Sequence, residues 1–178
     1  MNLKSCLSLS SLVMMATLAS QPSAQALTLN ASLLLGGSIL SGTGANGLDS
    51  KSSMLGADLT VDLGTYLELG AFYNHNFLSY ADSKGSLRFY GALLRVGLLG
   101  HGSNLYVDTE VGASQRTGGA FDSELGFGLG AGIGYRIWLT AYLDLSPRVG
   151  VRILPEPYQG SNYSNTTLDG NLLLTFEF

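Results

Sequence analysis

Two histidines, His75 and His101, are the side chains in this 178-residue chain whose titration lies nearest neutrality, and one of them opens the string His101-Gly102-Ser103-Asn104. A base two residues from a hydroxyl supplies the parts of a hydrolytic pair, with imidazole taking the proton and Ser103 attacking. Such a pair needs a third group to orient the imidazole. The nearby acids, Asp108 and Glu110, sit on an alternating segment that turns them into a different compartment, so a polar turn is the better reading. His75 has no second histidine or cysteine close by, and no metal site is expected there. The run Gly126-Phe127-Gly128-Leu129-Gly130-Ala131-Gly132-Ile133-Gly134 has the glycine density of a dinucleotide-binding turn. That motif requires a tight turn into a helix, whereas these glycines recur with period two. No cofactor is expected. The remaining chemistry is that of carboxylates and guanidinium groups, which pair by forked hydrogen bonds wherever water is scarce.

The elements that must position those charges are strands. Strict alternation of apolar and polar residues, the mark of a strand with two different faces, recurs in Leu55 to Leu63, Leu105 to Arg116, Glu124 to Ile137, Ala141 to Ile153 and Leu168 to Phe178. Three further segments, Thr28 to Leu40, Tyr66 to Phe77 and Arg88 to Leu98, alternate with one exception each: Leu34, Phe72 and Arg88. No apolar run approaches the roughly 18 residues of a spanning helix. Composition agrees. Charged residues make up only 12% of the chain, hydrophobic ones 46%, the net charge is −4 and there is one cysteine. A nucleic-acid binder would be basic, a disordered chain poorer in apolar residues and a disulfide scaffold rich in cysteine.

The first 26 residues read as a secretory signal, with Lys4 as the basic start, Cys6 to Ala19 as the apolar core and Ala24-Gln25-Ala26 as the cleavage site. Cleavage would leave residues 27–178, 152 in all, without a cysteine. Shared among eight strands, that length gives about 19 residues per strand and link, which suits membrane strands of roughly 10 residues. The links expected near 41–54, 78–87, 117–123 and 155–166 are longer than those near 64–65, 99–104 and 138–140, the asymmetry of an outer-membrane barrel with periplasmic termini.

On this register fourteen charged residues fall on the polar face: Asp58, Asp62, Glu68, Arg95, Asp108, Glu110, Arg116, Glu124, Arg136, Asp144, Arg148, Arg152, Asp169 and Glu177. Six others lie in the longer links, and Arg88 alone lands on the apolar face, at a strand end where a long side chain reaches the headgroups. A soluble barrel would have the charges outside, so alternation alone does not choose the solvent. Three features choose a membrane. All five polar-face cations are arginine, aromatic residues gather at predicted strand ends, and the chain ends in Thr175-Phe176-Glu177-Phe178.

That ending resembles the C-terminal signature of Gram-negative outer-membrane barrels, and the resemblance implies that Phe176 and Phe178 are read by the barrel-assembly machinery. The segment 27–178 is similar in architecture to the small OmpA-like, OmpX-like and opacity-protein barrels. The resemblance implies an all-β, eight-stranded antiparallel up-and-down transmembrane barrel of the bacterial outer membrane, in contact with its lipid and lipopolysaccharide, and implies no particular activity. His101-Gly102-Ser103-Asn104 also resembles the His-x-Ser-Asn element of lipid A deacylases, but it falls in a link at the periplasmic rim while those enzymes act on the outer leaflet. The expected function is therefore structural or adhesive. A lumen closed by arginine–carboxylate pairs is expected, with the outer loops meeting a surface ligand and no nucleic acid involved. A narrow cation-preferring, porin-like channel is the alternative, motivated by nine acids against five arginines on the polar face. A lipid A-modifying enzyme comes third.

Overall fold

The computed structural model describes residues 27–43, 50–64, 66–79, 84–98, 104–117, 125–158 and 161–178. The expected signal segment 1–26, together with His101, Ser103 and Glu124, lies outside the described residues.

Nine strand segments form one closed antiparallel barrel. They are β1 (Leu29–Thr43), β2 (Ser50–Asp62), β3 (Leu67–Ser79), β4 (Lys84–Gly97), β5 (Leu105–Thr117), β6 (Gly126–Tyr135), β7 (Ile137–Thr140), β8 (Leu143–Tyr158) and β9 (Ser161–Glu177). Apart from β6 and β7, which both lie against β8, each pairs with its neighbour in the chain, and β1 closes the circle on β9 from Asn30↔Glu177 to Thr43↔Ser164. The seam is tied at its foot by Leu29 N donating to Phe178 O at 3.2 Å and Phe178 N to Leu29 O at 2.9 Å. We call this end the terminal end and the opposite one the loop end.

The nine segments amount to eight staves, because β6 and β7 both pair with β8 in one register, with Leu129 opposite Ile153 and Ile137 opposite Leu145. The break falls at Arg136, where the same register runs past Pro147. A proline has no N–H to give a ladder, so the stave is interrupted there without losing its alignment. The sequence pattern placed a turn at 138–140; the strand instead continues to Thr140, with a register shift after Trp138, and the turn is Ala141-Tyr142. At another turn of this end, Leu63-Gly64, glycine is required because its φ is +104°.

The links at the loop end are shorter than the pattern predicted, because the strands run on through residues assigned to loops. Residues 50–54, 84–87, 155–158 and 161–166 all belong to strands. Pro155 and Pro157 mislead in sequence, since proline usually excludes a strand. Here β6 stops pairing at Leu129↔Ile153, so among the described residues β8 above that level pairs with β9 alone. An open edge tolerates a residue without a donor.

Alternation sorts the wall. Leu33, Leu35, Leu55, Leu59, Leu69, Val111, Leu129, Val149, Val151, Leu168 and Leu172 point outward and are exposed, while Asp58, Arg95, Asp108, Glu110, Arg148, Arg152 and Asp169 point inward and are buried. A water-soluble barrel would place these sets the other way round, so the outer solvent of this wall is hydrocarbon. Tyr66, Tyr135, Trp138, Tyr142, Phe176 and Phe178 ring the terminal end, and Tyr73, Phe77 and Tyr90 lie toward the other, all exposed. Aromatic side chains collect in girdles at such interfaces.

Candidate functional site

The site is the lumen. An eight-stranded barrel encloses a space that side chains can fill, and here they fill it in three tiers.

Nearest the terminal end, Arg95 on β4 donates to Asp58 Oδ2 at 3.1 Å and to Glu68 Oε2 at 3.0 Å. Thr60 Oγ1 donates to the same Glu68 oxygen at 3.1 Å, and Arg136 pairs with the other oxygen, Oε1. Both guanidinium groups lie over the Tyr106 ring, with Arg95 Cζ 4.8 Å and Arg136 Cζ 5.5 Å from its centroid. Cations over an aromatic face gain electrostatic attraction when water is excluded. Asp62 accepts from Asn30 Nδ2 at 2.8 Å, and Glu177 sits partly exposed at the mouth. Asp144 is fully buried and accepts from Ser146 Oγ at 2.7 Å; its other oxygen has no hydrogen-bond partner among the described residues.

The middle tier is tighter. Arg148 grips Asp108 in a fork, Nε to Oδ2 and Nη2 to Oδ1, both at 2.6 Å, and Nη2 reaches Glu110 Oε1 at 3.2 Å. Arg152 grips Glu110 in a second fork, Nε to Oε2 at 2.5 Å and Nη2 to Oε1 at 3.0 Å, while its Nη1 donates to Asp169 Oδ2 at 2.5 Å. Planar guanidinium groups make these two-point contacts and ammonium groups do not, which accounts for arginine at every cation position of the lumen. In so dry a space, geometry of this quality is what offsets the desolvation of each charge.

The glycines of β6 give these side chains their room. A Cβ on Gly132 would sit 2.5 Å from Arg148 Nη2, and one on Gly130 would sit 2.7 Å from Glu110 Oε2 and 3.1 Å from Arg152 Cγ. At Gly134 the added carbon would run into the Tyr106 ring. The row is thus a channel into which the bulk of β5 and β8 leans.

The third tier, toward the loop end, is apolar. Phe72, Leu78, Leu87, Phe89, Leu93 and Leu154 form one buried cluster, with the Phe72 and Phe89 rings edge to face at 4.7 Å. Arg152 Cζ lies 6.0 Å from the Phe89 ring, so the ionic and apolar tiers abut. A second cluster joins Leu34, Met54 and Leu173, and Met54 Sδ takes a hydrogen bond from Arg152 Nη1 at 3.3 Å. The pattern of charged residues does not reveal this tier. Its signal was present: Leu34 and Phe72 broke the polar face because they belong inside, and Leu93, Leu154 and Leu173 share the phase of the lumen charges. Arg116, opposite Leu87, also keeps that phase, at the loop end.

Among the described residues, no group of three or more His, Cys, Asp or Glu side chains is placed to hold a metal ion. His75 is on the outer wall, its Nδ1 sharing a hydrogen bond with Tyr73 Oη at 3.3 Å.

No protein-family model matches the chain, and no curated protein sequence does so significantly. Solved structures do match. The crystal structure of Neisserial surface protein A is similar over 86% of this chain and 99% of that one, with a TM-score of 0.63 and 15% identity. The outer membrane protein OprG from Pseudomonas aeruginosa is similar over 85% and 95%, with a TM-score of 0.51 and 10% identity. Ail, the attachment invasion locus protein of Yersinia pestis, solved with the heparin analogue sucrose octasulfate, is similar over 83% and 99%, with a TM-score of 0.51 and 9% identity. At such identities the likeness is one of fold: the chain has the eight-stranded barrel of these proteins.

Proposed function

We propose that this chain is a bacterial outer-membrane barrel that conducts nothing through its lumen and serves as a scaffold, holding its loop-end strand extensions and links out for contact with surface partners. The observation that carries the reading is the filled interior, in which two ion-paired tiers lie beneath a cluster of six buried apolar side chains. Hydrated ions would have to break forked arginine–carboxylate pairs and then cross an apolar constriction, and both steps are costly. Outer-membrane location is supported by the apolar exterior and by the fold shared with OprG, whose structure is described as an outer membrane protein. Surface contact is supported by the fold shared with Ail and by that protein's anionic ligand. Lipopolysaccharide and the barrel-assembly machinery belong to the same proposal as lipid partner and insertion route, with Phe176 and Phe178 as the element the machinery reads. The reading assigns the chain no catalytic step. Unchanged lipid A masses in cells overexpressing it are the expected result.

Planar-bilayer recording on purified protein tests the closed lumen. Silence at potentials of either sign is expected, and reproducible, well-resolved unitary conductance overturns it. One observation favours a second reading. Among the described residues eight acids face the lumen against five arginines, and Asp62, Asp144 and Glu177 gather at the terminal end. A channel built on that surplus would prefer cations, so an opening with a reversal potential set by the cation gradient would support it.

A further inference from the structure

Beyond the lumen, the outer wall carries a cation, Arg88, at the upper edge of its apolar belt. Arg88 on β4 points outward, since Leu87 and Phe89 on either side of it are buried in the lumen. Its Nε is buried without a hydrogen-bond partner, and none of the ion pairs among the described residues includes it. Across the ladder it faces His75 on β3 and Gln115 on β5, so neither flanking strand supplies an acid. The groups around it are hydrogen-bonding ones. Ser86 and Thr117, the next outward pair toward the loop end, share a hydrogen bond of 2.8 Å, and Tyr73 bonds to His75. Beside them are flat aromatic faces: His75 stacked on Phe77 at 4.5 Å, and Tyr73 on Tyr90 at 6.4 Å.

The height of the group is informative. From Leu98, just past the end of β4, to Tyr90 the outward residues are apolar or aromatic, and eight steps of about 3.3 Å, tilted by about 40°, rise roughly 20 Å. Arg88 is the first outward residue beyond that belt, at the level of the headgroups on the loop-end side. An unpaired cation there needs an anion, and the anion available to a lipid-facing wall at that height is a lipid phosphate. Stacked rings next to a guanidinium also suit a sugar, whose C–H face lies on aromatic carbon while its phosphate meets the charge.

We propose that Arg88, with Gln115 and the Ser86 hydroxyl beside it and the His75, Tyr73 and Tyr90 rings as a platform, is a binding site for the phosphorylated sugar headgroup of an outer-leaflet glycolipid. The site rests on the membrane reading above and is independent of whether the lumen conducts. The test uses the barrel refolded into phosphatidylcholine vesicles containing bisphosphorylated lipid A, dephosphorylated lipid A or phosphatidylglycerol, with native mass spectrometry counting the lipid retained. Wild type should hold bisphosphorylated lipid A at least five-fold better than either other lipid, and Arg88→Gln should abolish that preference. Gln115→Glu, which supplies a carboxylate in place of the phosphate, should do the same and stands in if Arg88→Gln folds poorly. Equal retention by wild type and both variants, or equal retention of the dephosphorylated form, would sink the site. Equal retention of phosphatidylglycerol would overturn the glycolipid in favour of any anionic headgroup. A protein that never enters vesicles tells instead against the membrane reading.

Discussion

Glu110 holds two arginines at once, accepting both arms of Arg152 and one of Arg148. Removing its charge leaves two guanidinium groups short of a partner in a space from which water is excluded. Breaking a buried pair from one side typically costs about 3–5 kcal/mol. Glu110→Gln should therefore lower the stability of the vesicle-embedded barrel by that order in reversible urea unfolding. Asp144 is the internal control. It is equally buried but forms no ion pair among the described residues, so Asp144→Asn keeps the Ser146 hydrogen bond and discards a charge without a cation. It should be neutral or stabilising in the same assay. Matching losses in the two variants would show that burial alone, and not pairing, governs these carboxylates.

The strands show why some of this was readable in advance and some was not. Period-two alternation gives face and strand type directly, and Asp58, Glu68, Arg95, Asp108, Glu110, Asp144, Arg148, Arg152 and Asp169, all in one phase of their strands, are buried. The period of two in the glycine row of β6 belongs to the same pattern, because a missing Cβ on one face is a local property. Gly132→Val places branched carbons where Arg148 now lies against the strand. It should expel the Arg148–Asp108 fork and slow the shift to the compact, heat-modifiable band on unboiled gels, while the outward-facing Ala131→Val should not. Strand ends were less legible, because they depend on neighbours far away in sequence. Pro155 and Pro157 sit in a strand where, among the described residues, β6 has already left β8, and the break before Ile137 answers to Pro147 on the adjacent stave. The apolar tier was half visible. Leu34 and Phe72 stood out as errors in a polar face, but the grouping of Phe72 with Leu78, Leu87, Phe89 and Leu154 comes from three strands meeting in space.

Taken whole, the molecule is a wall between two media, with charge on its concave side and hydrocarbon groups on its convex side. The 12% of charged residues is low for a soluble domain because the outer surface takes so little of it. Leu59 is half exposed at mid-wall on β2. Leu59→Arg should cost about 2–4 kcal/mol in a bilayer, the usual depth-dependent penalty. In a water-soluble barrel the same exposed substitution would be nearly silent. Urea unfolding from vesicles distinguishes the two cases, and a negligible cost would mean that the wall does not face lipid.

The seam between β1 and β9 sets a condition on time as well as on shape. Leu29 and Phe178 exchange backbone hydrogen bonds although 149 positions separate them in the chain. The barrel's circuit therefore cannot close until residue 178 is in place, and until then β1 keeps an open edge of unpaired N–H and C=O groups. In hydrocarbon such an edge costs several kcal/mol for each unpaired group. Assembly must then proceed as a single late event in which all the staves enter together. Folding should be slow, as it is for contacts of very long range, and a chain shortened at the β9 end should accumulate outside the bilayer rather than insert as a partial barrel.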